Sequence, residues 1–127
     1  MSVDDIPTAW IRRIEQEHPK DDDPDLDASA KLEELIHDQP EVAFTVIDKI
    51  IGSTENQKVV GNAGAGPLED LLRLHGPAIV DRVLERARQD TTWRLALGVV
   101  WTSSFHDKQV AAKVDEAIDM YFPDGRP

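Results

Sequence analysis

Along almost the whole chain the apolar residues return every three or four positions, the spacing of one face of an α-helix. Ile6, Trp10, Ile11 and Ile14 show it first, and Val42, Ala43, Val46, Ile47 and Ile50 repeat it. Val110, Ala111, Val114, Ala117, Ile118 and Tyr121 close the series. The strict alternation of half-buried strands is missing, and no Asn-Gly or Asp-Gly pair separates two alternating apolar runs. Such a chain buries its apolar stripes by laying helix against helix. Its 127 residues make one domain, long enough to bury roughly two-thirds of the unfolded surface.

The punctuation divides the pattern. A first helix is expected over about Ile6–Glu17, capped by Asp4 or Asp5 and ended by His18-Pro19. A charged loop leads to a second, from about Pro24 to His37, burying Leu26, Ala28, Leu32, Leu35 and Ile36. Pro40 suits the first position of a third, and Gly52 its left-handed exit. Thr54 can cap a short helix carrying Val59 and Val60, which runs into the glycine cluster 61–66. Pro67 is expected to restart a helix closed by His75-Gly76, and Pro77 to open the next. Asp90 or Thr91 caps an apolar helix reaching Trp101. The last starts near Ser104 or Asp107, stops at Pro123 and Gly125, and leaves a fraying tail.

A shift of 37 residues superposes two stretches. Pro40 falls on Pro77, Val42 on Ile79, Ala43 on Val80, Val46 on Val83, Ile47 on Leu84, Thr54 on Thr91, Val60 on Leu97 and Gly61 on Gly98. That period lies near those of helical arrays. The expectation is an all-α, compact helical-repeat domain of HEAT/armadillo type with about seven helices. Residues 1–38 would be an acidic cap, 40–76 a first three-helix unit and 77–122 a second.

Charge is uneven. The net charge is −11, and residues 1–48 contribute 14 acids against four bases, residues 49–127 only 11 against 10. This argues against nucleic-acid backbone and anionic membrane as partners and for attraction to a basic protein. No cysteine is present, which excludes disulfides, thiol nucleophiles and thiolate metal sites. No signal peptide and no membrane-spanning run is visible.

The runs Gly66-Pro67-Leu68-Glu69-Asp70-Leu71-Leu72, Asp81-Arg82-Val83-Leu84-Glu85-Arg86-Ala87-Arg88 and Trp93-Arg94-Leu95-Ala96-Leu97-Gly98-Val99-Val100-Trp101 together resemble an uncharacterised family of short bacterial proteins known only as a domain of unknown function. The similarity extends from about Trp10 to Trp101. It implies a helical, cytoplasmic bacterial protein and brings no activity. Gly61-Asn62-Ala63-Gly64 is richer in glycine than that family pattern, which implies a broken helix before Pro67.

Several constellations invite chemistry. Asp21, Asp23, Asp25 and Asp27 alternate as calcium-loop ligands do, but the glycine and the distal bidentate glutamate of such a loop are absent. With Asp22 they read as a solvated acidic patch. His18, His37 and His75 fall at expected helix C-termini, where an imidazolium complements the dipole; neither they nor His106 has metal-ligand spacing. The glycine cluster lacks the Gly-Lys-Ser/Thr ending of a phosphate loop and suits a close helix approach or a hinge. Ser103-Ser104 with His106 lacks the strand-turn-helix of a nucleophile elbow. Glu69 and Asp70 suit a helix start or, with Arg94, a recognition patch; adjacent residues point about 100° apart, so they are no facing acid/base pair. Trp10, Trp93 and Trp101 read as core anchors, any exposed one being a binding hot spot.

The favoured function is a non-enzymatic acidic interaction module without cofactor or metal, for example an inhibitor or immunity-type protein that neutralises a basic effector. Its binding residues would be Glu69, Asp70, Arg94 and Trp101. A small metal- or ligand-binding enzyme using the groove near Glu69 and Asp70 is one alternative, and a structural homodimer is another.

Overall fold

A computed structural model describes residues 1–16 and 25–127. A single 3-10 turn, Val3–Asp5, leads into α1 (Ile6–Glu15), followed by α2 (Leu26–Asp38) and α3 (Pro40–Gly52). The long α4, residues 57–89, joins Gln57–Ala63, a π-helical stretch Gly64–Leu68 and Glu69–Gln89. Then come α5 (Thr91–Gly98) and α6 (Lys108–Tyr121). The described residues hold six separate helical runs, fewer than the seven expected, and no strand.

Proline context explains the difference. The expected break at Pro67 does not interrupt α4, whereas the one expected at His75-Gly76 before Pro77 is present as a kink, and Gln39 before Pro40 lies outside helical space with φ −141° and ψ 72°. Both prolines inside α4 follow a glycine, Gly66 or Gly76, which has no Cβ to clash with the proline ring in a helical conformation. Each proline still lacks an N–H. Around Pro67 the ladder lengthens: the Glu69 N–H reaches back five residues to the Gly64 carbonyl. Around Pro77 the rod kinks at His75, with φ −129° and ψ 27°. The Arg73 carbonyl that Pro77 cannot serve is taken instead by the His106 N–H at 3.3 Å.

Other boundaries follow local hydrogen bonds. Asp90 caps α5 through the Thr92 N–H at 2.8 Å, and Asp107 caps α6 through those of Gln109 and Val110, as the sequence suggests. Thr54 does not cap α4. Its hydroxyl accepts from the Asn56 N–H, and Asn56 becomes the cap, accepting from the Lys58 N–H at 3.0 Å. Gly52 makes no left-handed exit; among the described residues Gly125 alone has positive φ. The first helix ends at Glu15, and the expected end at Glu17 and His18-Pro19 lies outside the described residues.

One core joins all the helices. Trp10 and Trp93 are buried as expected, and the Trp93 indole N–H donates to Asp48 at 3.1 Å while its ring packs 5.9 Å from Phe44. Leu26, expected inside, is 43% exposed. Phe44, Ile51 and Phe105 are buried without having been expected there. The positions related by 37 residues agree at Ala43 and Val80, Val46 and Val83, and Val60 and Leu97, all buried. They differ at Val42 and Ile79 and at Ile47 and Leu84, where Val42 and Leu84 are only partly buried, and at Gly61, whose α-carbon faces open space, and Gly98, which Phe122 and Pro127 crowd. The glycine cluster does serve a close approach: a Cβ on Gly64 would lie 2.1 Å from the Ala96 carbonyl oxygen of α5. It does not break the helix, contrary to what the resemblance implied.

Candidate functional site

A groove of about 310 Å³ opens where α1 and α2 meet the π-helical stretch of α4. Positions four apart on α1, Trp10 and Ile14, form one wall, and Leu32, Glu33 and Ile36 of α2 form the other, as helical periodicity dictates. Gly66 and Pro67 close the end, with Asp70 one turn on. The lining is mixed: Trp10, Ile14, Leu32, Ile36 and Pro67 bring apolar surface, Ser29 and Asn62 are polar, and two carboxylates, Glu33 and Asp70, stand on it. Asp70 has Arg73 at 3.3 Å, and both remain partly exposed.

Outside the groove, α2 turns Asp27, Glu34 and Asp38 to solvent. Among the described residues only Glu34 of these has a cationic neighbour, Lys31 at 3.9 Å. Cations elsewhere are tied down: Arg82 to Glu41 at 2.5 Å, Arg86 to Asp48 at 2.9 Å and Arg88 to Glu85 at 2.5 Å. The Arg82 hydrogen bond holds the Glu41 carboxyl below its usual value, against the opposing effect of burial.

Of the four residues expected to bind together, only Glu69 and Trp101 touch; Asp70 and Arg94 lie elsewhere. Glu69 accepts the Trp101 backbone N–H at 2.7 Å and marks no free helix start, since the rod runs on through it. Asp70 faces the groove instead. Arg94 donates to the carbonyls of Ala87 and Arg88 at 2.7 and 2.8 Å and covers the Tyr121 ring at 5.1 Å, so it closes the C-terminus of α4 rather than joining a patch. Trp101 is no core anchor: α5 stops at Gly98, and the indole stands 64% exposed on the following loop.

The acidic patch is also divided. Asp21, Asp22 and Asp23 lie outside the described residues. Asp27 is exposed as expected, whereas Asp25 is buried and takes a bidentate pair from Arg12, at 2.5 and 2.7 Å. That hydrogen bonding outweighs burial and holds the Asp25 carboxyl below its ordinary value. No group of three or more His, Asp or Glu among the described residues is placed to hold a metal ion. His37 is exposed in the last turn of α2; His75 sits at the α4 kink, where the helical backbone is interrupted as expected, its Nε2 buried and without a hydrogen-bond partner among the described residues. His18 lies outside the described residues.

Sequence reasoning missed Glu33 and Arg126. Glu33 borders the stripe of Leu32 and Ile36, and only the packing of α1 and α4 against that border makes a groove of it. Arg126 belongs to the tail expected to fray, yet it packs on Trp101 at 4.7 Å. No helix is long and apolar enough to cross a membrane among the described residues. A family model described as a family of unknown function (DUF6869) matches residues 15–121. No match was found among curated proteins or among solved structures.

Proposed function

The chain belongs to this family of unknown function, and we propose that it is a non-enzymatic interaction module whose α1–α2–α4 groove captures a basic protein. The observation that carries the reading is the pair Glu33 and Asp70 standing over Trp10, Ile14, Leu32 and Ile36. A lysine or arginine of the partner lays its methylene stem on that floor and its charge against the carboxylates. The outward acids of α2 extend the negative field around the groove and speed encounter. An inhibitor or immunity-type protein that neutralises a basic effector is the concrete form. The 37-residue shift we read as a duplicated helical unit of HEAT/armadillo type behind an acidic cap, on the matched burial of Ala43 with Val80 and Val46 with Val83.

The test is affinity capture from a lysate of the source organism at low and moderate salt, with the full chain and its Glu33→Gln/Asp70→Asn double variant. A basic protein held by the first, weakened by salt and lost by the second, is expected. Recovery of no basic protein at either salt, or equal recovery by the double variant, overturns the proposal.

A further inference from the structure

The exposed indole of Trp101 already carries an arginine. Arg126 donates from Nη1 to the carbonyls of Gly98, at 3.1 Å, and Val100. Its Nη2 stands 3.8 Å from Asp115, and the guanidinium lies 4.7 Å from the centre of the Trp101 ring. The surroundings are held in place independently. Thr102 donates its hydroxyl to Asp115 at 2.8 Å, and Glu69 fixes the Trp101 backbone.

An aromatic face, carbonyls at the negative end of α5 and a carboxylate therefore converge on one planar cation. That combination suits the forked, stackable guanidinium better than a lysine ammonium. Every group in it comes from α4, α5, α6 or the α5–α6 loop. None comes from the tail, which turns at Gly125 with φ 118° to bring Arg126 in. Trp101 stays 64% exposed with Arg126 in place.

We propose that Trp101, Asp115 and the end of α5 form a binding site for an arginine side chain of a basic protein partner, filled in cis by Arg126 until the partner displaces it. This rests on the reading of a basic partner but uses a surface separate from the groove. A tethered arginine competes at an effective concentration in the millimolar range, so removing it unmasks the site.

The experiment titrates N-acetylarginine amide, with the lysine analogue beside it, into the full chain and follows the Trp101 indole resonance by NMR. Arg126→Ala is expected to bind the arginine probe about tenfold more tightly than the unaltered chain and in preference to lysine. Asp115→Asn in that background is expected to weaken the gain, while Glu33→Gln/Asp70→Asn leaves it intact. That last comparison separates failure of this site from failure of the groove. Should Arg126→Ala not fold, Arg126→Lys keeps a cation but loses the fork, and a smaller gain is expected from it. A folded variant that binds no better than the unaltered chain, or takes lysine equally well, overturns the proposal.

Discussion

Gly61 and Gly64 stand three residues apart in α4 and meet opposite surroundings. A Cβ on Gly61 touches nothing within 4 Å, whereas on Gly64 it would enter the Ala96 carbonyl and the Val99 side chain. Gly61→Ala is therefore expected to stabilise the fold by up to about 1 kcal/mol, the helix-propensity difference. Gly64→Ala is expected to destabilise it by about 3 kcal/mol, because backbone and a β-branched side chain must move. Urea denaturation of the two variants checks both signs. Nothing in the run Gly61-Asn62-Ala63-Gly64 marks which glycine is which; the crossing with α5 decides it. Asp25 teaches the same lesson, because an acid at the entrance of α2 read as solvated until Arg12, thirteen residues earlier, was found across from it.

At the scale of elements, proline alone proves a poor guide to where a helix ends. Gln39-Pro40 separates two helices and Pro77 follows a kink at His75, while Gly66-Pro67 lies inside a continuous rod. Caps were read more securely, since a cap needs only a side-chain oxygen and an N–H two or three residues on. Asp107 satisfies two such N–H groups. Asp107→Ala is expected to cost about 1 kcal/mol and Asp107→Asn much less. Thermal unfolding compares them, and hydrogen exchange of the first turn of α6 locates the loss. The end of α5 escaped sequence reasoning because Leu95–Trp101 continues the apolar pattern. Gly98 is instead closed over by Phe122 and Pro127, and Glu69 draws the Trp101 N–H out of the helical ladder.

For the molecule as a whole, a net charge of −11 makes acid behaviour informative. Asp25 and Glu41 have folded-state values depressed below their ordinary 3.8 and 4.5, chiefly by hydrogen bonds from Arg12 and Arg82. A depressed carboxylate stabilises the fold fully above its unfolded value and loses that contribution as pH falls through the folded value. Stability is thus expected to hold down to about pH 5 and to fall steeply below pH 4.5, in urea titrations across that range. Arg12→Met with Arg82→Met is expected to flatten the fall and to lower stability at neutral pH.

The all-helical class, most apolar stripes, the caps at Asp90 and Asp107 and the imbalance of charge were settled by the sequence alone. Each depends on residues within a turn or two of one another, or on composition. The groove beneath Glu33 and Asp70, the arginine seated on Trp101 and the closure of α4 by Arg94 were decided only by the tertiary structure. Each joins residues far apart in the chain, and which surfaces meet depends on how the rods cross, a property no local spacing encodes.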